Sequence, residues 1–222
     1  MMYKIFKRLL DIFLSFSALV ILLPAFIPII IILKFSAEGE VFYFQERYGI
    51  YNSKFQIWKF ATMLKNSMEM GTGSITLRND FRVTRIGHFL RITKINELPQ
   101  LINILKGDIS IVGPRPLVKS DYDAYPSTVR DNIYNVKPGL TGIGSIIFRD
   151  EESIISAVTV ENPHEFYKRV IAPYKGELEM WYQEHNSFFL DLQLIFMTAW
   201  VILLPTSKLY EKWFKDLPKR NF

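Results

Sequence analysis

Residues Ile12–Leu33, IFLSFSALVILLPAFIPIIIIL, run for 22 positions without a charge and are interrupted only by Ser15, Ser17, Pro24 and Pro28. As a helix rising 1.5 Å per residue, such a run reaches roughly 33 Å, the thickness of a bilayer core. A cleaved signal sequence has a shorter apolar run of about 7–15 residues and a small-residue cleavage site, a poor match here. The stretch reads as a membrane helix. Pro24 and Pro28 each remove a backbone donor and crowd the preceding turn. Two such breaks predict a bent helix, which can enter and leave by the same leaflet. The flanks agree: Lys4, Lys7 and Arg8 precede the segment, and Lys34, Arg47, Lys54 and Lys59 follow it. The positive-inside rule then places both ends in the cytoplasm. A kinked single-pass helix is the competing reading.

Outward from this segment the chain has the texture of a folded domain. Its 222 residues are 49% hydrophobic and 15% aromatic, which excludes a disordered chain. With no cysteine, disulfide scaffolds, thiolate metal sites and cysteine nucleophiles are excluded. Twenty-seven basic against 22 acidic side chains give a net charge of +5, which favours anionic partners. Glu40–Gln45 and Phe55–Phe60 are aromatic, β-branched runs around a turn at Tyr48–Lys54 and predict a hairpin. Lys65–Thr76, with Gly71-Thr72-Gly73-Ser74, reads as a mobile loop and lacks the lysine and spacing of a phosphate-binding P-loop. Glu97–Lys106 predicts a helix with an apolar stripe of Leu98, Leu101, Ile102 and Leu105, Asn96 as its cap and Gly107 as its end. Asp108–Val112 reads as a short strand leading into Gly113-Pro114-Arg115-Pro116. Leu192–Leu204 is too short to span a bilayer, so it is a buried or interfacial helix.

Three histidines, His88, His164 and His185, stand too far apart in sequence to suggest a ligand set. What remains is a set of cations near turns and one acidic helix start. Arg115 sits between two prolines, so it loses little entropy on binding, and its planar fork matches two phosphate oxygens. Arg91 precedes Asn96-Glu97, while Lys137 and Arg149 flank the turn Pro138-Gly139-Leu140-Thr141-Gly142. Glu97 at a helix start can hold Mg²⁺. Singly, each cation reads as a solvated side chain and Asn96 as a helix cap. Together with a membrane helix they suggest phosphoryl chemistry at a bilayer. A basic protein binding nucleic acid fits poorly, because the aromatics lie in hydrophobic runs and are not interleaved with the basic residues.

The motifs also occur in an order that resembles a known family. Lys7-Arg8-Leu9-Leu10-Asp11, the helix with Pro24, Gln45-Glu46-Arg47-Tyr48-Gly49 and Lys59-Phe60 with Met63 come first. Arg82-Val83-Thr84-Arg85-Ile86-Gly87, Phe89-Leu90-Arg91, Glu97-Leu98-Pro99-Gln100 and Leu105-Lys106-Gly107-Asp108 follow. Gly113-Pro114-Arg115-Pro116, Val136–Gly142 and Arg149 complete the set. The chain resembles the bacterial sugar transferases, the monotopic polyprenyl-phosphate phosphoglycosyl transferases.

The resemblance implies an α/β fold, predominantly α. A re-entrant membrane helix over 1–35 would precede a small membrane-surface catalytic domain over 36–222 with interfacial amphipathic helices. It implies transfer of a phosphosugar from a UDP-sugar to polyprenyl (undecaprenyl) phosphate with release of UMP, using Mg²⁺, on the cytoplasmic face of a bacterial inner membrane. In such enzymes an Asp-Glu pair is catalytic, the aspartate attacking the β-phosphate and the glutamate helping to bind the metal. Glu97 takes the glutamate position. Arg91, Arg115 and Arg149 match positions that hold phosphate and uridine diphosphate groups, with Lys59 and Lys137 as further substrate-binding candidates. Lys7, Arg8 and Asp11 match a membrane-edge cluster. Beyond donor, acceptor and bilayer, the partners to consider are a second copy or downstream glycosyltransferases.

Two positions depart from the family. The nucleophile position is Asn96, and a neutral amide is a poor nucleophile toward phosphorus. The serine before the helix-breaking proline is Leu23. Three readings of Asn96 stand: an active subfamily, with Glu97 as nucleophile or with direct transfer; a catalytically silent scaffold; or an engineered trap. The integrity of the other motifs favours activity.

Overall fold

The computed structural model describes residues 2–36, 38–158 and 162–220. The chain begins with α1 (Met2–Phe35), one helix that runs through both Pro24 and Pro28. A single stripe of it faces the rest of the protein. Asp11, Ser15, Phe26 and Leu33 are buried, and Ala18, Leu22 and Ile29 pack beside them at three- and four-residue spacing. The other faces expose Phe13, Phe16, Val20, Ile21, Leu23 and Ile27.

The hairpin follows as β1 (Phe42–Tyr48) and β2 (Lys54–Phe60), antiparallel, with Phe42 opposite Phe60 and Tyr48 opposite Lys54. Phe60 is fully buried and meets Phe26 of α1 edge-to-face at 5.4 Å. That contact joins the apolar helix to the first sheet. Next come α2 (Arg85–Ile92), α3 (Gln100–Lys106) and β3 (Ser110–Val112). Helix α2 starts where the Thr84 hydroxyl accepts the Gly87 N–H at 2.9 Å. Helix α3 starts three residues later than expected. Pro99 stands before its first turn, and Asn96 and Glu97 belong to a separate 3₁₀ turn, Ile95–Glu97. Asn96 is therefore not a helix cap; it is buried within that turn. The helix ends at Gly107, whose φ of 92° supplies the left-handed conformation that closes the last turn.

Short helices α4 (Lys119–Asp123) and α5 (Ser127–Arg130) lead to β4 (Gly139–Thr141), which pairs in parallel with β3. The remainder is helical: α6 (Ile143–Ile147), α7 (Glu151–Ser156), α8 (Pro163–Phe166), a π turn at Tyr167–Ile171, α9 (Ala172–His185), α10 (Phe188–Leu203) and α11 (Leu209–Trp213). The protein is thus mostly helical with two small two-stranded sheets, as an α/β reading with predominant helix requires. Its main core gathers Ile143, Ile171, Leu178 and Leu194 from four of these segments and Tyr134 from the loop before β4. Helix α10 has two faces. Leu190, Leu194, Met197 and Val201 enter the core, while Phe189, Phe196 and Leu203 are exposed.

The cluster Lys7, Arg8 and Asp11 pins α1 to this body. Arg8 donates to the Ile104 and Leu105 carbonyls at 2.6 and 2.8 Å, satisfying the open C-terminal end of α3. Asp11 accepts from the Ser110 hydroxyl and the Ile111 N–H, both at 3.0 Å. Lys7 pairs with Asp191 of α10 at 2.7 Å, and Tyr3 and Tyr182 donate to the same carboxylate.

Candidate active site

A cleft of about 1050 Å³ opens between the hairpin, the 3₁₀ turn, the Pro-Arg-Pro loop and α6–α7. Its centre is Glu97. Oxygen Oε1 of Glu97 takes Lys59 Nζ of β2 at 2.9 Å and Arg115 Nη2 at 3.1 Å. Strand β2 carries Lys59 to the cleft two residues after the buried Ile57, and the 3₁₀ turn faces Glu97 toward it. Burial alone would raise the Glu97 carboxyl, but Lys59, Arg115 and Lys94 overcome that and hold it well below the usual carboxylate range. For Lys59 the balance differs. Burial, reinforced by Arg115 and Arg47, outweighs Glu97 and lowers its ammonium to about 8. Arg115 stays a fixed cation.

The loop that carries Arg115 is bound along its backbone by distant residues. Gly139 N–H donates to the Pro114 carbonyl at 2.8 Å, Tyr134 Oη to the Arg115 carbonyl at 2.9 Å and Arg47 Nη1 to the Pro116 carbonyl at 3.1 Å. Tyr48 N–H reaches the Leu117 carbonyl at 3.1 Å, and Leu117 N–H donates to Tyr134 Oη at 2.8 Å. The buried Glu179 carboxylate of α9 accepts the Arg115 N–H. A loop so fully paired positions its arginine without relying on the two prolines alone.

Around this centre stand more cations. Arg91 and Arg149 line the cleft, and Arg91 Nη2 pairs with Glu152 of α7 at 2.6 Å. Lys175 of α9 lines its inner end, is almost wholly buried and pairs with Glu151 at 2.8 Å. Asn96 lies beside Glu97 and also lines the cleft. Of the expected site residues, Lys59, Arg91, Asn96, Glu97, Arg115 and Arg149 converge here. Lys137 does not line the cleft; it sits with Arg8 beside Gly107 at the end of α3. Lys7, Arg8 and Asp11 hold α1 in place, and Pro24 lies inside α1. Sequence reasoning missed Arg47, Lys175 and Glu179. Arg47 sits inside the quoted Gln45–Gly49 motif; the other two carry no motif and emerge only from their burial.

Among the described residues, five buried polar side-chain atoms lack a hydrogen-bond partner. Four belong to cleft-lining residues: Arg47 Nε, Asn96 Oδ1, Ser145 Oγ and Arg149 Nε. The fifth, Glu179 Oε2, lies beneath Arg115. An unpaired buried polar atom costs about 1–3 kcal/mol, so their concentration around one cleft marks a place organised for a polar ligand. The donors and fixed cations suit an anion with several oxygens. Asn96 Oδ1 and the Glu97 carboxylate are adjacent hard-oxygen ligands and fit Mg²⁺, which commonly takes one or two protein oxygens together with substrate phosphates. The described residues contain no cluster of three or more acidic, histidine or cysteine ligands, so a metal here would depend on the substrate for its remaining oxygens.

The fold and the site together define a protein with a cation-rich cleft centred on Glu97, built on an α/β body to which a long apolar helix is pinned. The chain belongs to the bacterial sugar transferase family, whose model matches residues 2–205. It is 34% identical over 198 residues to a UDP-glucose:undecaprenyl-phosphate glucose-1-phosphate transferase of Klebsiella pneumoniae, covering 88% of this chain and 39% of that one. It is 33% identical to the uncharacterized sugar transferase EpsL of Bacillus subtilis, covering 90% and 88% of the two chains. The exopolysaccharide production protein ExoY of Rhizobium meliloti is 31% identical over 89% of this chain and 85% of its own. The chain spans about two-fifths of the length of the Klebsiella pneumoniae relative.

Proposed function

We propose that this protein transfers a sugar phosphate from a UDP-sugar to polyprenyl phosphate, releasing UMP, as an early membrane step of a surface glycan pathway. The observation that carries the reading is Glu97 held by Lys59 and Arg115 inside a cation-lined cleft whose unpaired donors suit phosphate oxygens. Arg115, Arg47 and Arg149 would grip the diphosphate, and Arg91 would exchange Glu152 for it. Glu97 and Asn96 would hold Mg²⁺, which supplies charge neutralisation for the diphosphate. The curated relative from Klebsiella pneumoniae acts on a donor and acceptor of these classes by its name.

Asn96 decides the chemistry. With Glu97 Oε1 taken up by two cations, Glu97 serves as counter-ion and metal ligand, and the acceptor phosphate attacks the β-phosphorus directly. The new bond is from acceptor oxygen to phosphorus, and the bond to the UMP oxygen breaks. The second reading, a silent scaffold of the same fold, is favoured by the same amide. The purified chain in bilayer discs with polyprenyl phosphate and a panel of UDP-hexoses and UDP-N-acetylhexosamines should release UMP. No release from the native chain, with release from Asn96→Asp, establishes the silent reading.

The site would face the cytoplasm from a bacterial inner membrane. Supporting this, the domain touches α1 both at Asp11 and at Leu33, roughly 33 Å apart along the helix axis. A helix crossing the bilayer could not keep both contacts without drawing α3 and β2 into lipid, whereas one bent at Pro24 and Pro28 and seated in one leaflet keeps them. The cleft wall includes Ile195, Val201 and Ile202 of α10 and Leu33 of α1, an apolar approach for a polyprenyl chain. Cysteines introduced at Lys4 and Ser36 should both label from the cytoplasmic side; labelling from opposite sides establishes a span.

A further inference from the structure

Arg115 is held at three points, and two of them are buried side chains with no place in the proposed chemistry. Tyr134, only 1% exposed, bridges the loop: its hydroxyl donates to the Arg115 carbonyl at 2.9 Å and accepts the Leu117 N–H at 2.8 Å. Glu179, 2% exposed, accepts the Arg115 N–H from below. The third point is the guanidinium on Glu97 at 3.1 Å. The neighbouring prolines fix their own φ angles and keep Arg115 extended, but they do not set where its N–H and carbonyl are bound. The two buried groups supply what the prolines cannot, since together they hold both peptide units that flank its Cα.

We propose that Glu179 and Tyr134 are positioning residues that act on the ligand of the cleft only through Arg115, by holding its main-chain N–H and carbonyl. The proposal rests on reading the cleft as a diphosphate site.

Three further observations fit it. Gly144 lies against Glu179 so closely that a Cβ there would stand 2.4 Å from Oε1, so α6 is shaped to admit the carboxylate. Glu179 is a costly residue to bury: its second oxygen lacks a partner, and burial lifts its carboxyl to about 7 against the pull of Lys175 and the Arg115 N–H. A leucine would fill much of the same space without a polar group to desolvate, so packing alone does not call for the acid. The tyrosine is likewise placed by its hydroxyl. Tyr122 stacks on its ring at 6.2 Å, a contact phenylalanine would keep, yet the loop uses the oxygen as both acceptor and donor. The charged and titratable groups around Glu179 are Lys175 with its partner Glu151, Arg115, Tyr125 and Tyr134.

The test is a double-mutant cycle on the full-length protein in detergent micelles, read by calorimetric binding of UDP, the nucleotide common to the proposed donors. Tyr134→Phe and Glu179→Leu, each of which removes the hydrogen-bonding oxygen, should each weaken UDP binding about fivefold in the native background. Each should change it less than about twofold in an Arg115→Gln background, since the group they act through is gone. Gly144→Ala, which displaces the carboxylate, should follow Glu179→Leu. Equal losses in both backgrounds, or no loss in the native one, overturn the proposal: the residues would then serve packing alone. If Arg115→Gln itself leaves UDP binding unchanged, the diphosphate reading of the cleft fails and takes the proposal with it. Melting temperatures of the same variants identify any that do not fold, and a single-turnover UMP assay on the folded ones reads the same cycle independently.

Discussion

Lys59 and Glu97 illustrate how one ion pair can move two groups in the same direction for different reasons. Burial and two arginines push Lys59 down to about 8, while three cations hold Glu97 ionised. Raising the pH through about 8 therefore removes a positive charge from the cleft while Arg115 keeps its own. UDP affinity should fall across that interval, and Lys59→Arg should abolish the fall because guanidinium stays charged; a flat native profile overturns this. The stability sign is opposite. Folded Lys59 gives up its proton before unfolded Lys59 does, so its burial cost is present below about 8 and is relieved toward 10.5. Glu97→Gln leaves Lys59 and Arg115 without their carboxylate, which should cost roughly 2–4 kcal/mol of stability and more than about a hundredfold in UMP release. Full activity in that variant removes Glu97 from the site.

At the scale of elements, the segment Lys65–Thr76 shows how little a loop's composition says about its order. Read from its glycines and polar residues it is mobile. In the fold it wraps around the guanidinium of Arg82, a residue with no exposed surface. Arg82 donates to the carbonyls of Ser67, Met70, Gly73 and Ile75 at 2.6–2.9 Å and pairs with Asp80 at 2.6 Å. Arg82→Met should therefore release the loop. Amide hydrogen exchange over 67–76 should accelerate at least about tenfold, and stability should fall by roughly 3–5 kcal/mol. Unchanged exchange there would show that the loop is held by something else. The parallel pair β3–β4 depends on close backbone approach. A Cβ at Gly139 would stand 2.1 Å from the Gly113 nitrogen, so Gly139→Ala should lower stability by about 3 kcal/mol or more in chemical denaturation. It should also disturb the Arg115 loop, whose Pro114 carbonyl takes the Gly139 N–H.

For the whole molecule, α1 is the element whose placement matters most. One stripe binds the domain, and the remaining faces are largely apolar and exposed, a surface suited to lipid. Asp191 fastens its first turns through Tyr3, Lys7 and Tyr182. Asp191→Ala strands Lys7 and should lower the melting temperature in micelles and speed proteolysis at residues 2–10; an unchanged digest would sink that role. The apolar helix, the hairpin, the end of α3 at Gly107 and most cleft residues were legible in the sequence, because each rests on local information: an uncharged run, alternating aromatics, a glycine at a left-handed φ, cations near turns. Asn96 as a cap was misread because Pro99 displaces the helix start, a local cue outweighed by the neighbouring 3₁₀ turn. Lys137 was grouped with the cleft by its neighbouring motif, yet tertiary packing carried it to Arg8 instead. Sequence alone determined that a long apolar helix and a set of cations near turns exist, since charge and hydropathy belong to residues one at a time. Only the tertiary structure decided which cations share Glu97 and that Arg115 is held by Tyr134 and Glu179. Those relations join residues 19 and 64 positions apart, and no local pattern encodes a contact that chain folding alone brings about.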